Sequence, residues 1–284
     1  MKESNQKRAG IIKNLSLMAI GLFMFSCTMG SREPITFKLD QPLGQKSKYA
    51  IKNDIKMELV SEHLPGNSQK MAAALDAILE TEVTAGLPDG NWTLENRFTR
   101  IEMAVDGESI EEAKRLLENR PFTVTMDKTG KVLDVSGIDK MLPGMDIKQM
   151  MSQMNPASML PSKAVAVGES WPIEISAPVE MQGTSFQQKL KGTGTLKEVN
   201  NGLALIDITY DLEMSLTERG DESRSMTGKG KSKSSLMFDM QRARFISNKT
   251  DLTMEVTGRE RSGSRDEVSR SLLISSMQVD LAGE

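Results

Sequence analysis

The residue whose chemistry is easiest to assign is Cys27, the only cysteine among 284 residues. Residues 1–14 carry four basic side chains and one acid, residues 15–26 are uncharged, and the small Ser26 directly precedes the thiol. A basic segment, an apolar segment of about 7–15 residues and a small residue at the cleavage point are typical of a secretory signal peptide. A membrane span needs about 20 apolar residues. We therefore predict a signal peptide over residues 1–26.

The end of this segment resembles the lipobox of bacterial lipoproteins, in which a cysteine at the cleavage point receives diacylglycerol and palmitate. Met24 stands where a lipobox usually has leucine, and Phe25 is bulkier than usual. The resemblance implies lipidation of Cys27, a short tether over residues 27–34 and a membrane anchor made by the acyl chains. Thr28 stands after the cysteine instead of Asp, which by the same resemblance implies the outer membrane of the cell envelope, facing the periplasm.

The other side chains that could be reactive are not part of a recognisable catalytic or metal-binding sequence pattern. The one histidine, His63, sits in VSEHLPGN, where a solvated turn is expected. A catalytic triad or a zinc site needs more partners than this. The carboxylates of residues 207–213 alternate with apolar residues, as on the solvated face of a strand. We therefore predict no catalytic residue, metal site or cofactor, and a hydrolase built on Asp, Glu and Ser is the remaining enzymatic alternative.

A methionine-rich segment between residues 136 and 165 is the main internal irregularity. Part of it follows the spacing i, i+3, i+4, i+7, which predicts a short amphipathic helix. Methionine adapts to irregular apolar shapes, so the segment is a candidate lid over an apolar ligand. An MxxM spacing also suits Cu(I), but methionine recurs along the whole chain, which indicates overall composition. The lid candidates are Met145, Ile147, Met150, Met151 and Met154.

Charge excludes one class of partner. The formal net charge is −3 and becomes −6 once residues 1–26, with their net charge of +3, are removed. Nucleic-acid binding needs a concentrated basic patch. We therefore expect no nucleic acid, membrane contact through Cys27, and an unknown envelope protein or an apolar ligand as partner.

Residues 35–284 are predicted to form a single β-rich domain with the helical insertion 136–165. Apolar and polar residues alternate along most of it, with the best example at residues 203–218. Strands of about 15 residues exceed the usual length, and long sheets twist and curl. We predict a mainly β (α+β) fold: a large curved antiparallel sheet or an open β-barrel of long meander strands, with a few short helices packed over one face.

Several local elements follow from sequence signals. Residues 70–84 suit either a strand or a helix, and the turn after them favours a strand. A capping-box pattern at residues 109–112 predicts a helix that ends before Pro121. Gly130 predicts a tight hairpin. Residues 223–235 have almost no apolar content, which predicts an exposed edge or a hairpin tip.

Two stretches, TVTMDKTGKVLDVSGIDKML (residues 123–142) and LPSKAVAVGESWPIEI (residues 160–175), resemble an uncharacterised family of secreted bacterial proteins and lipoproteins. Members more often have Asp where this chain has Glu169. The resemblance supplies no activity and no catalytic residue. In structural terms, Gly168 makes a turn, the two residues after it bond the turn backbone, and Trp171 packs under the helices.

These observations favour a non-enzymatic, membrane-anchored module that binds a partner or acts structurally. The alternative is a carrier of lipid or another apolar ligand in a groove capped by the methionine-rich helices. A packed inner face favours the first hypothesis, and an apolar cavity of about 300–1,000 Å³ favours the second.

Overall fold

A computed structural model describes nine ranges of the chain, and residues 35–284 form one compact unit. The described residues are 33–61, 65–87, 90–138, 148, 151–152, 155–181, 184–217, 224–262 and 265–284. No helix in this part of the chain is long and apolar enough to cross a membrane.

The strands of the described ranges join one antiparallel sheet. Its order is β6-β5-β3-β2-β1-β12-β11-β10-β9-β8-β7, with β4 paired to β3. The predicted mainly β fold with one large antiparallel sheet is confirmed, and the sheet does not close, because β6 and β7 remain its two ends among the described residues. The strands are β1 Lys46–Ser61, β2 Ser68–Gly86, β3 Trp92–Val105, β4 Glu108–Ser109, β5 Pro121–Met126, β6 Val132–Ser136, β7 Ser170–Met181, β8 Thr184–Asn200, β9 Leu203–Thr217, β10 Arg224–Asp239, β11 Arg244–Ser262 and β12 Arg265–Gly283.

The alternation in β9 has the predicted consequence. Ile206 and Ile208 are fully buried, while Asp211 and Glu213 between apolar neighbours are exposed. We call the face with Ile206 the inner face and the opposite one the outer face. The ambiguous stretch 70–84 lies within β2, so its strand interpretation is confirmed.

The prediction for residues 223–235 is wrong. The described part of this stretch, residues 224–235, belongs to β10, which is paired on both sides, with β9 and β11. Ser232 and Ser234 are buried with only 2% and 8% of their surface exposed. Their hydroxyls are satisfied, because Ser232 Oγ donates to the Asp251 carbonyl at 3.0 Å and Ser234 Oγ lies 2.8 Å from Thr250 Oγ1. A central strand can therefore have little apolar content when its small side chains find partners.

The helix α1 spans Glu111–Leu117, as predicted, but its capping box does not form. Ser109 belongs to β4 and its hydroxyl donates to Glu111 Oε1 at 2.7 Å, while Ile110 takes the cap position. Pairing of β4 with β3 holds the Ser109 backbone in a strand. The hairpin of β5 and β6 is confirmed, with Gly130 at φ 82°.

Two segments lie against one end of the inner face, and we call them the plug: residues 35–39 and 155–165. They join through an antiparallel bridge in which Ile35 N donates to the Val165 carbonyl at 2.7 Å and Val165 N donates back at 2.9 Å. A short 3-10 helix, Pro156–Met159, lies in the second segment. The half-sheet that contacts the plug is called the plugged end.

Aromatic rings fill the plugged end. Phe238 of β10 packs edge-on against Phe37 and Phe245, with ring centroids 5.6 and 5.2 Å apart. The same cluster contains Phe122 of β5. In a flat sheet β5 and β10 would stand about 29 Å apart, at about 4.8 Å for each strand spacing. The shared cluster therefore requires the sheet to curl around the plug.

Candidate functional site: the inner face of the sheet

The structure describes only one of the residues chosen from the sequence as lid or reactive group. Met151 is half-buried and packs against the aromatic cluster of the plugged end. The lipidation site and the lid therefore stay predictions. The remaining residues that the sequence singled out lie outside the described residues: Cys27, His63, Met145, Ile147, Met150 and Met154.

Trp171 packs under the plug, as predicted. Its indole Nε1 donates to the Met159 carbonyl at 2.9 Å, and only 8% of the residue is exposed. The ring lies directly over Gly194 of the neighbouring strand, where any Cβ would overlap it. A glycine is thus required at position 194, because only a residue without a Cβ leaves room for the Trp171 ring against the sheet.

The turn before Trp171 differs in one detail from its prediction. Gly168 has φ 87°, and the Ala166 N–H donates to Glu169 Oε2 at 2.8 Å, so the glutamate does bond the turn backbone. The hydroxyl of Ser170 instead lies 2.8 Å from Thr195 Oγ1 on β8. Ser170 faces the neighbouring strand because it is already the first residue of β7.

Strand register shows which side chains share the inner face beyond the plug. Directly paired residues of antiparallel strands point to the same side of the sheet, so the pairing defines rows. The central row is Ile175, Leu190, Leu212, Gly230, Met254, Leu273, Met57 and Met71. The row nearer the plug is Ile173, Gly192, Tyr210, Ser232, Leu252, Ser275, Ile55 and Ala73. The row farther from the plug includes Gln188, Met214, Gly228, Val256, Ser271, Leu59 and Gln69.

None of these inner-face positions carries a charge. The outer face of the same strands does: Lys189 stands opposite Glu213, and Lys191 stands opposite Asp211. Glu213 also faces Lys229 on the other side. Such exposed opposite-charge pairs suit a solvated surface and contribute little stability each. Water is therefore the expected neighbour of the outer face, whereas the inner face beyond the plug suits an apolar neighbour.

The central row differs in burial from one side to the other. Leu190, Leu212 and Met254 have 5%, 8% and 6% of their surface exposed and form a packed cluster. The next positions in the row are only half-buried. We call these three neighbours the open row: Leu273, Met57 and Met71.

Methionines are concentrated on the inner face. From the sequence, the spread of methionine indicates only overall composition. That these methionines share one face of the sheet becomes visible only when the strand register is known. A glycine provides room for one of them: the methyl end of Met254 occupies the space where Gly228 would have a Cβ. The described inner-face methionines include Met57, Met71, Met103, Met126, Met214, Met226, Met254 and Met277.

The outer face has one apolar patch behind the open row. Leu272 and Ile274 are 37% and 46% exposed, although they stand among charged neighbours. They line a surface cavity of about 360 Å³ whose other lining residues are Lys56, Met57, Glu58, Lys70, Met71, Ala72 and Asp106. The side chains of the neighbouring residues Leu272 and Leu273 therefore lie on opposite faces of the sheet.

A polar cluster lies at the plugged end. Arg244 is 1% exposed; its Nη1 donates to Ser47 Oγ at 3.1 Å and its Nη2 to Glu284 Oε1 at 2.5 Å. Arg242 contacts the same carboxylate at 2.9 Å. The hydrogen bond from Arg244, aided by the charges of both arginines, lowers the pKa of Glu284. Burial raises the pKa of Tyr49, against the opposing effects of Ser47 and Arg244.

A cavity of about 450 Å³ lies beside this cluster and is lined by Ser47 and Glu284. Opposite charges pair across its walls, so the cavity has no field of one sign that would select a charged ligand. Within the described residues, no group of three or more His, Cys, Asp or Glu side chains is arranged to hold a metal ion. The wall pairs are Lys46–Glu82 at 3.3 Å, Lys48–Glu80 at 3.0 Å and Arg97–Glu95 at 3.5 Å.

Comparison with known proteins agrees with an uncharacterised family. A family of unknown function (DUF6263) matches residues 145–243. The match includes the stretch 160–175, whereas 123–142 lies outside it. No curated protein matches the chain.

Solved structures give only weak likenesses. A mutant of the porin from Rh. blastica has a TM-score of 0.27 and 8% identity, covering 82% of this chain and 100% of that chain. An outer membrane channel from Pseudomonas putida F1 has a TM-score of 0.18 and 9% identity, covering 88% of this chain and 100% of that one. TM-scores this low carry no argument about fold or function.

Proposed function

We propose that this chain is a lipid-anchored lipoprotein of the bacterial cell envelope, most simply of the outer membrane facing the periplasm, and that it acts as a non-enzymatic binding module. Cys27 is the anchor, and the inner face beyond the plug is the binding surface. The observation that carries the binding role is the open row. Its apolar side chains are half-buried in a part of the inner face without charge, whereas the apolar side chains of the plugged end are covered by the plug.

Burial is the physical reason for this assignment. Folding removes apolar side chains from water wherever another segment can cover them. At the plugged end, Phe238 is fully buried under residues 35–39. Among the described residues, no part of segment 136–165 belongs to the cluster next to the open row. Apolar surface left uncovered on a folded domain is typical of a contact site.

The lidded carrier is the second candidate. Its lid would require segment 136–165 to lie across the open row. The described lid residue, Met151, packs instead against the aromatic cluster of the plugged end. This contact favours a module whose binding face is open over a carrier whose ligand is enclosed.

The anchor is tested by metabolic labelling. Cells grown with radiolabelled palmitate should incorporate label into the wild-type chain and not into Cys27→Ala, because no second cysteine is present. Ser26→Ala is the matched control, since it keeps a small residue before the thiol and should be labelled normally. Label that persists in Cys27→Ala overturns the anchor.

The non-enzymatic assignment has its own test. The purified chain is incubated with generic ester, phosphoester and glycoside substrates, and we expect no turnover above buffer. Turnover that co-purifies with the chain and survives a change of purification tag overturns the assignment.

A further inference from the structure

Three turns at the plugged end carry exposed apolar side chains, and we call these turns the rim. They are residues 42–45, residues 166–169 and the turn that begins at Leu87. Leu43, Leu87 and Val167 have 69%, 42% and 41% of their surface exposed. β1 and β7 begin directly after the first two turns, and β2 ends directly before the third. The plug packs against β3 and β7 beside these turns, so the rim lies at one end of the domain.

We infer that the rim rests on the lipid surface of the membrane that holds the anchor, with Leu43, Leu87 and Val167 inserted among the lipids. The inference rests on the proposed anchor at Cys27 and adds a second contact with the same membrane. Three features carry it: the reach of the chain from Cys27, the construction of the turns, and the position of the exposed apolar side chains.

The chain that joins Cys27 to the domain decides which end meets the membrane. Ile35 is eight residues after Cys27, and a fully extended chain of that length spans at most about 29 Å. Ile35 belongs to the plug, since its backbone is bridged to Val165. A strand such as β11, with 19 residues, is about 60 Å long. An anchor at Cys27 therefore brings the rim to the lipid, while the opposite strand ends lie beyond the reach of the tether.

The first turn of the rim holds its apolar residue outward. Gln45 N donates to the Pro42 carbonyl at 3.0 Å, and Gly44 has φ 78° while Leu43 has no positive φ. This combination is typical of a type II turn, in which the second and third residues form the tip. Gly44 N also donates to the Val83 carbonyl at 2.8 Å, which fixes the turn to β2. Leu43 is therefore held at the tip.

The second turn repeats this construction on another strand. Glu169 N donates to the Ala166 carbonyl at 3.0 Å, and Gly168 has φ 87°. Gly168 N donates to the Leu196 carbonyl at 2.7 Å, which fixes the turn to β8. Val167 stands directly before the glycine, at the same position of its turn as the leucine of the first turn.

The third turn is also closed by its own backbone. Gly90 N donates to the Leu87 carbonyl at 3.0 Å, and Leu87 N donates to the Asn91 carbonyl at 2.7 Å. The backbone positions of all three apolar residues are therefore fixed before they meet a partner. Preformed contact groups lose less conformational entropy on binding than mobile ones.

The position of these side chains favours a lipid surface. Seven large apolar residues of the described ranges are exposed, and three of them lie on the rim. Single exposed apolar residues are common, but turn tips usually carry Gly, Pro, Asn, Asp or Ser. An apolar side chain at a turn tip is surrounded by water, and burial of its surface requires that the tip enter another phase. For a chain anchored at Cys27, the membrane interface is the nearest such phase.

The anchor also reduces the affinity that the rim itself must have. With the acyl chains of Cys27 in the membrane, insertion of the rim is an intramolecular step that proceeds at a high effective concentration. Three small apolar contacts, too weak to bring a free protein to a membrane, can therefore orient one that is already attached.

The test places a fluorescent label at single sites of the full, acylated chain in vesicles of phosphatidylethanolamine and phosphatidylglycerol. Lipidation blocks the thiol of Cys27, the only cysteine of the chain, so an introduced cysteine is the only one that reacts with the label. Part of the lipid carries a nitroxide just below the head group, which quenches labels that enter the lipid. The rim variants are Leu43→Cys, Leu87→Cys and Val167→Cys. The controls are Val60→Cys and Val268→Cys, at positions 46% and 44% exposed near the opposite strand ends.

Labels at the rim should lose at least about two thirds of their emission, because interfacial apolar groups lie about 5–10 Å deep, at the level of the nitroxide. Labels at the two control positions should keep their emission. The comparison matches Val167 with Val268, since the two valines have nearly the same exposed fraction and lie at opposite ends of the strands.

A matched pair of double variants, each labelled through Leu87→Cys, tests the side chains themselves. Leu43→Asp with Val167→Asp should reduce quenching at position 87 at least about threefold, because a carboxylate does not enter lipid without a large loss of hydration. Val60→Asp with Val268→Asp should leave it unchanged. All four positions are exposed, so both variants should fold normally, which circular dichroism checks. If the first variant does not fold, the quenching of the single-label variants still decides.

The intact mass of the purified chain separates failure of the inference from failure of the anchor. An acylated chain whose rim labels keep their emission, or whose rim and control labels are quenched equally, overturns the inference and leaves the anchor standing. Rim labels that are protected in native envelopes but not quenched in lipid vesicles would assign the rim to a protein partner instead. A chain without acyl groups overturns the anchor, and the inference with it.

Discussion

The plugged end and the open row lie on the same face of the same sheet, and they differ in what covers them. At the plugged end, residues 35–39 and 155–165 lie across the strands, and large rings such as Phe238 and Trp171 are buried beneath them. At the open row, Met57, Met71 and Leu273 remain half-buried. The strands are continuous between the two regions, so the difference does not come from secondary structure.

The comparison teaches how one sheet can combine stability with binding. Rigid rings packed under a second segment give many fixed contacts. Flexible methionines beside glycines give an apolar surface that can still rearrange. We therefore expect substitutions at the plugged end to change mainly stability, and substitutions at the open row to change mainly binding.

The largest expected difference is between two truncations. Phe238→Ala should lower the free energy of unfolding by about 3–5 kcal/mol, because it empties a fully buried ring site. Leu273→Ala should cost only about 1 kcal/mol, since its side chain is half-buried. Urea unfolding followed by circular dichroism measures both. Equal losses would remove the distinction between the two regions.

A smaller difference is expected between two glycines. Gly194→Ala would drive a Cβ into the ring of Trp171, which the plug holds in place, and should cost about 1–3 kcal/mol. Gly228→Ala would overlap the flexible methyl end of Met254, with Met214 and Val256 at ordinary contact distance, and should change stability by less than about 0.5 kcal/mol. Thermal unfolding of the two variants compares rigid with adaptable packing. A larger loss for Gly228→Ala would contradict the flexibility assigned to the methionines of the inner face.

The smallest effect concerns pH at the plugged end. The pKa of Glu284 is lowered by its bond to Arg244, so the carboxylate stabilises the fold above its ordinary pKa of about 4.5. This contribution is lost as pH falls through the lower pKa of the folded state. Glu284→Gln should therefore have a lower Tm than wild type at pH 7, with the gap closing toward pH 3. Glu95→Gln, whose carboxylate contacts exposed Arg97 at 3.5 Å, should show little gap at either pH.

Local signals predicted the elements with strong patterns. The alternation of β9 and the glycine turn at Gly130 led to the observed strands and hairpin. Local signals gave the wrong prediction where pairing with another strand determined the backbone conformation. Ser109 was expected to cap α1, but β4 pairs with β3 and takes it. Residues 223–235 look too polar for an interior strand, but in the described part, residues 224–235, the buried hydroxyls of Ser232 and Ser234 form hydrogen bonds with Asp251 and Thr250 of the neighbouring β11.

The candidate site was largely beyond the sequence. The abundance of methionine is visible in the sequence, and its spacing predicts that the segment around Met151 contacts a ligand. The open row joins residues more than 200 positions apart, since Met57 pairs with Leu273. Alternation assigns each residue to one of two faces within its own strand, but it does not say which faces of distant strands coincide. Only the register supplies that.

The sequence by itself determined the strand-rich composition, the opposite polarity of the two faces of each strand, and the expectation of an anchor at Cys27, because these depend on the order of neighbouring residues. The tertiary structure decided which half of the inner face is covered and which is left open. That choice depends on where residues 35–39 and 155–165 meet the sheet, and such contacts between distant segments are selected by the burial of the whole set of side chains at once.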